Sequence, residues 1–131
     1  MSIFKPIQEN EATGKVKEIY DDIKDKRQIT EVPNFWKSLA NNPETLERTW
    51  NNLQEIMKKG ALDPITKELI YVAVSITNSC EYCIHSHTAA ARSKGMTDKQ
   101  YAEFLSIVSL AGRTNHLLNG LKVPIDKEFN N

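Results

Sequence analysis

An all-α, single-domain helical bundle is the fold class that this sequence predicts, and three observations predict it. Between the prolines and glycines, apolar side chains recur at every third or fourth position, the period of a helix with one buried stripe. Cap-like pairs, Asn42-Pro43, Asp63-Pro64 and Thr97-Asp98, stand at the head of three such stretches. No stretch alternates apolar and polar residues as a half-buried strand does. At 131 residues the chain has the length of one domain.

From Ala12 to Arg27 the positions Val16, Ile19, Tyr20 and Ile23 form one stripe, with Thr13 as the candidate N-cap. Residues 28–32 read as a connection. Pro33 is positioned to open a short helix holding Phe35, Trp36 and Leu39, which Asn41-Asn42-Pro43 breaks. With Pro43 at its first position, a long helix is expected to about Lys59, carrying Leu46, Trp50, Leu53 and Met57 on one face and stopping at Gly60. Asp63-Pro64 opens the next helix, to about Asn78. Its segment LIYVAVSI, residues 69–76, is apolar nearly all round and β-branched, and would suit a buried strand on propensity alone. The cap, the length and the flanking helices favour helix. Another helix begins at Ser79 or Cys80 and ends at Gly95, with Arg92 and Lys94 near its last turn, where the helix dipole favours cations. Thr97-Asp98 caps the last long helix, with Tyr101, Phe104, Leu105, Val108 and Leu110 along it. Gly112 is a place where it can dent before Leu117, Leu118 and Leu121, and Pro124 ends it. Residues 127–131 read as a tail. The apolar stripes are wide for so small a domain, so some are expected to pack against a second copy of the chain.

Composition narrows the function classes. Hydrophobic residues make up 40% and charged residues 26%, which permits a packed core. Lys+Arg and Asp+Glu are 17 each, so the basic excess of a nucleic-acid binder is missing. The longest apolar run, residues 69–74, is far too short to span a bilayer. The first residues, MSIFKPIQENEATG, contain no apolar signal core, and the expected compartment is the cytoplasm. Cys80 and Cys83 are the two cysteines. At three positions apart they suggest chemistry or metal binding rather than a staple for the fold.

On a helix, Cys80 and Cys83 are i and i+3, and Cys83 and His87 are i and i+4, so all three share a face that His85 does not. That arrangement suits thiol redox chemistry. The reactive species is the thiolate, which a helix N-terminus stabilises and an imidazole one turn on can generate. A second thiol resolves an oxidised sulfur into a disulfide. The helix end favours Cys80 as the attacking sulfur, whereas nearness to His87 favours Cys83, and spacing leaves both open. Glu68, on the preceding helix, could orient His87 if the two helices fold back side by side.

Glu68, Cys80, Cys83 and His87 together spell E-x11-C-x2-C-x3-H. This resembles the core motif of the alkylhydroperoxidase D-like branch of the carboxymuconolactone decarboxylase family. The segment DPITKELIYVAVSITNSCEYCIHSHTAAARSKGM and the later Asn115, Asn119, Gly120 and Pro124 also look like that family, over roughly residues 40 to 124. The resemblance implies an all-helical fold assembled as trimers or hexamers, with thiol-dependent peroxidase or disulfide reductase activity. By the same match Cys83 is the peroxidatic thiol, Cys80 the proton donor and resolving thiol, and His87 with Glu68 a proton relay. The implied partners are a hydroperoxide and a dithiol reductant, thioredoxin-like or lipoyl-bearing, with no organic cofactor or metal. One departure is Tyr82, which stands where alkylhydroperoxidase D proper has a His.

Other readings attach to the same residues. Cys80, Cys83 and His87 could be zinc ligands with Glu68, His85 or His116 as a fourth, although zinc sites usually draw ligands from separate loops. Lactone decarboxylation needs a base but no cysteine pair. A non-catalytic assembly module would make the spacing a coincidence. Trp36, Trp50, Tyr101 and Phe104 are expected in core or subunit packing, and His116 is expected to be structural or exposed.

Overall fold

Asn42, Asp63 and Thr97 each accept a hydrogen bond from the backbone N–H three residues on, and three helices start where they stand. Prolines follow the first two at N1, where no N–H is needed, and Gln100 closes a capping box with Thr97. The computed structural model describes residues 2–129. Their helices are α1 (Gly14–Arg27), α2 (Asn34–Leu39), α3 (Pro43–Met57), α4 (Pro64–Thr77), α5 (Glu81–Ser93) and α6 (Asp98–Leu121). Short 3-10 turns lie at Glu9–Glu11 and Lys127–Phe129. Among the described residues there is no strand, and the segment LIYVAVSI is helical. Thr13 occupies the cap position of α1 without a side-chain bond. The helix of α6 is continuous across Gly112. The expected tail starts as the 3-10 turn, while its Asn130 and Asn131, like Met1 of the first segment, lie outside the described residues.

The chain divides into two compact units, Met1–Lys58 and Lys59–Asn131. In the first, α1 and α2 pack on α3 around Val16, Ile19, Tyr20, Ile23, Trp36, Leu46 and Trp50, the predicted stripe residues. Its buried polar groups are partnered, as burial demands. The Tyr20 hydroxyl donates to the Ile7 carbonyl at 2.8 Å, and Trp50 Nε1 donates to Asp22 at 2.7 Å.

In the second unit, α4 and α5 lie side by side, with Val72 and Ala91 fully buried and Met96 nearly so. The link between them is short because α4 ends in a Schellman motif. Ser79 adopts the left-handed conformation (φ 56°), its N–H donates to the Ile76 carbonyl at 3.2 Å, and the Cys80 N–H donates to the Ser75 carbonyl at 2.9 Å. Cys80 thereby closes α4 and serves at once as the N-cap position of α5.

Candidate active site

Both sulfurs belong to the start of α5. Cys80 is at the N-cap and Cys83 in the first turn, where the backbone N–H groups have no partners within the helix. The structure shows Cys80 and Cys83 joined as a disulfide, with Cα atoms 5.3 Å apart and both residues half-buried. The i, i+3 spacing makes that bond geometrically possible. His87 follows Cys83 by one turn, its side chain 16% exposed.

Glu68 reaches this helix from α4. It is buried, at 4% exposure. Its Oε2 lies 2.6 Å from His87 Nδ1, and its Oε1 accepts from Lys94 Nζ at 2.8 Å. Burial pushes the Glu68 carboxyl up, but the hydrogen bonds from His87 and Lys94 and the ammonium charge outweigh it and hold the carboxyl below its ordinary range. Glu68 is therefore a carboxylate at neutral pH and can only accept. Nδ1 of His87 must then carry the proton of the shared bond, which leaves Nε2 as the position at which the ring can act as a base. Tyr71, one turn after Glu68 on α4, stacks on that imidazole with centroids 3.6 Å apart and planes 20° apart.

The structure thus brings Glu68 to His87 and Cys80 to Cys83, with His87 one helical turn from the pair. His85 is exposed on another face of α5, and His116 is exposed on α6. Among the described residues no three His, Cys, Asp or Glu side chains converge as a group able to hold a metal ion. In this structure both sulfurs named for zinc are engaged in the disulfide, and His85 and His116 are exposed away from His87 and Glu68. Tyr82 is exposed on the first turn of α5.

Two members of this cluster escape a reading of spacing within one helix, namely Tyr71 and Lys94. The signal for both was present. Tyr71 is i+3 from Glu68, and Lys94 is i+7 from His87, two turns along the same stripe.

Comparison with known proteins agrees with this geometry. Residues 43–126 match the model of the carboxymuconolactone decarboxylase family. The crystal structure of an alkylhydroperoxidase AhpD core from Rhodospirillum rubrum superposes with a TM-score of 0.96 at 46% identity, covering 100% of this chain and 98% of that one. An alkyl hydroperoxide reductase of Mycobacterium tuberculosis is 26% identical over 112 residues, 86% of this chain and 32% of that protein. An uncharacterized protein of the cox locus of Paracoccus denitrificans is 39% identical over 54 residues, 41% of this chain and 49% of that protein. The chain spans about a third to a half of the length of these curated relatives. Among the described residues no helix is long and apolar enough to cross a membrane. On the family match and the whole-chain likeness together, this all-helical chain belongs to the carboxymuconolactone decarboxylase family and has the fold of the alkylhydroperoxidase core.

Proposed function

We propose that the chain is a thiol-dependent hydroperoxide reductase of the alkylhydroperoxidase type. The observation that carries this reading is the disulfide between Cys80 and Cys83 at a helix start, one turn from an imidazole held by a buried carboxylate. In the reduced protein, the Cys83 thiolate attacks the terminal oxygen of a hydroperoxide ROOH. The O–O bond breaks, Cys83 becomes a sulfenic acid, and the alkoxide leaves as ROH after taking a proton. The Cys80 thiolate then attacks the Cys83 sulfur, expelling hydroxide that leaves as water. The sum is ROOH plus two thiols giving ROH, water and the disulfide. An external dithiol, thioredoxin-like or lipoyl-bearing, returns two electrons and two protons to the pair. His87, with Glu68 behind it, takes the thiol proton at Nε2 and returns it to the leaving oxygen. The reading needs no organic cofactor or metal. It places the chain in the cytoplasm as one helical domain that assembles into a trimer or hexamer.

Exposing the reduced protein to a stoichiometric pulse of an organic hydroperoxide tests this. The intact mass is expected to fall by two hydrogens as the disulfide forms, and Cys83→Ser is expected to abolish turnover. Cys80→Ser is expected to stop at a sulfenate that a dimedone probe traps. Full peroxidase activity in Cys83→Ser overturns the assignment. Consumption of disulfides by a protein whose thiols ignore hydroperoxide would make it a disulfide reductase instead.

A further inference from the structure

The site contains a cation that the thiol mechanism does not call on. Lys94 is the last residue of the α5 stripe that begins at Cys80, and its ammonium sits on the Glu68 oxygen that His87 does not use. His87 and Lys94 are seven residues apart, so they rise from one face of α5 roughly 10 Å from each other along the axis. Ala91, wholly buried, lies between them on the same stripe and leaves room for a carboxylate from α4 to bridge the two. The charged or titratable groups acting on Glu68 are these two, both from α5.

The backbone holds Lys94 in place. It is the C-cap residue of α5, and the following Gly95 (φ 104°) closes a Schellman motif in which the Gly95 N–H donates to the Arg92 carbonyl and the Met96 N–H to the Ala91 carbonyl. A buried carboxylate with one neutral imidazole as its only partner would take up a proton more readily, because burial disfavours its charge. Protonated, it becomes a donor and can offer its hydrogen to Nδ1, which moves the ring proton to Nε2 and removes the base from the side that needs it.

We infer that Lys94 is a positioning residue of this site: by keeping Glu68 a carboxylate, it commits His87 to the Nδ1–H tautomer and leaves Nε2 as the base. The consequence for turnover rests on the proposed function, but the tautomer itself does not. The lysine also lies where a helix dipole favours a cation, and that effect alone would change stability without touching the imidazole.

The test is 15N NMR of the His87 ring in the full-length disulfide form, with the resonances assigned by their loss in His87→Asn. The native protein is expected to show the Nδ1–H tautomer at neutral pH. In Lys94→Met the tautomer at neutral pH is expected to become mixed. Lys94→Arg, which keeps the charge, is expected to restore the native ring shifts. Turnover with a hydroperoxide is expected to lose roughly tenfold in kcat in Lys94→Met with little change in KM. Ring shifts in Lys94→Met that superimpose on the native ones at neutral pH overturn the inference, as does failure of Lys94→Arg to restore them. If Lys94→Met does not fold, Lys94→Gln is read by the same ring shifts. If the native protein has no peroxidase activity, the proposed function fails while the ring shifts still judge Lys94.

Discussion

A carboxylate as buried as Glu68 is costly unless donors reach it, and here two do, from one face of the next helix. Its carboxyl is held below the ordinary value of 4.5 once the opposing push of burial is overcome. A depressed carboxyl stabilises the fold at every pH above its unfolded value and gives up that contribution as the pH falls through the lower, folded one. Glu68→Gln, which keeps the shape and removes the charge, is therefore expected to lose about 1.5–3 kcal/mol at neutral pH, as expected for a charge-assisted bond. Urea unfolding of both proteins across pH 7 to 3 checks this. The gap should narrow as the pH falls through the carboxylate range; a gap that does not narrow there would mean that Glu68 is neutral in the fold. Glu68, Cys80, Cys83 and His87 were legible before any coordinates, because helical spacing alone aligns three of them and the motif supplies the fourth. Tyr71 and Lys94 were not, because their parts depend on which face of α4 meets α5, and both helices carry side chains of mixed polarity on more than one face.

Helix starts in this chain were easy to read and helix ends were not, for one physical reason. Asn42, Asp63 and Thr97 announce themselves by residue type, since their side chains must accept from the first turn. At the other end, left-handed residues close α1, α4, α5 and α6, yet of Gln28, Ser79, Gly95 and Lys122 just one is the glycine that such a position favours. The segment LIYVAVSI was ambiguous because a helix buried against a neighbour and a buried strand have the same composition, and tertiary packing settles it. Gly95 allows the closing conformation to be weighed. A Cβ there would meet nothing within 4 Å, so Gly95→Ala costs backbone strain and no clash. At φ 104° the loss is expected to be about 1–2 kcal/mol. Gly112, also in open space but inside the continuous α6, is the control: Gly112→Ala is expected to gain up to about 1 kcal/mol. Thermal unfolding of the two variants should move in opposite directions. A Gly95→Ala protein as stable as the native one would mean that the α5 terminus relaxes at no cost and does not hold Lys94 in place.

The second unit leaves much apolar surface unused. None of the residues of α6 is buried, and Ile107, Leu110, Leu117 and Leu121 are 53–73% exposed. With 3.6 residues per turn these four fall within roughly 80° of one another around the helix, on a single face of it. Isolated exposed leucines are ordinary, but a continuous stripe of them is the mark of a surface made to be covered. The sequence carried this stripe openly; what it withheld was that no element within the unit would bury it. Covering each such side chain is worth on the order of 1 kcal/mol, and rotational symmetry repeats the gain at every interface of a closed ring. A second copy of the chain is the occupant that the proposed function names. Analytical ultracentrifugation at micromolar concentration is accordingly expected to give a mass three or six times that of the chain. Leu110→Glu with Leu117→Glu is expected to reduce it to the monomer, because each glutamate would have to be desolvated to stay in the interface. The Cys80–Cys83 disulfide lies on α5, so it should still form in that monomer when hydroperoxide is added. A native chain that sediments as a monomer throughout would leave the α6 stripe to some other partner and remove self-association from the account of this protein.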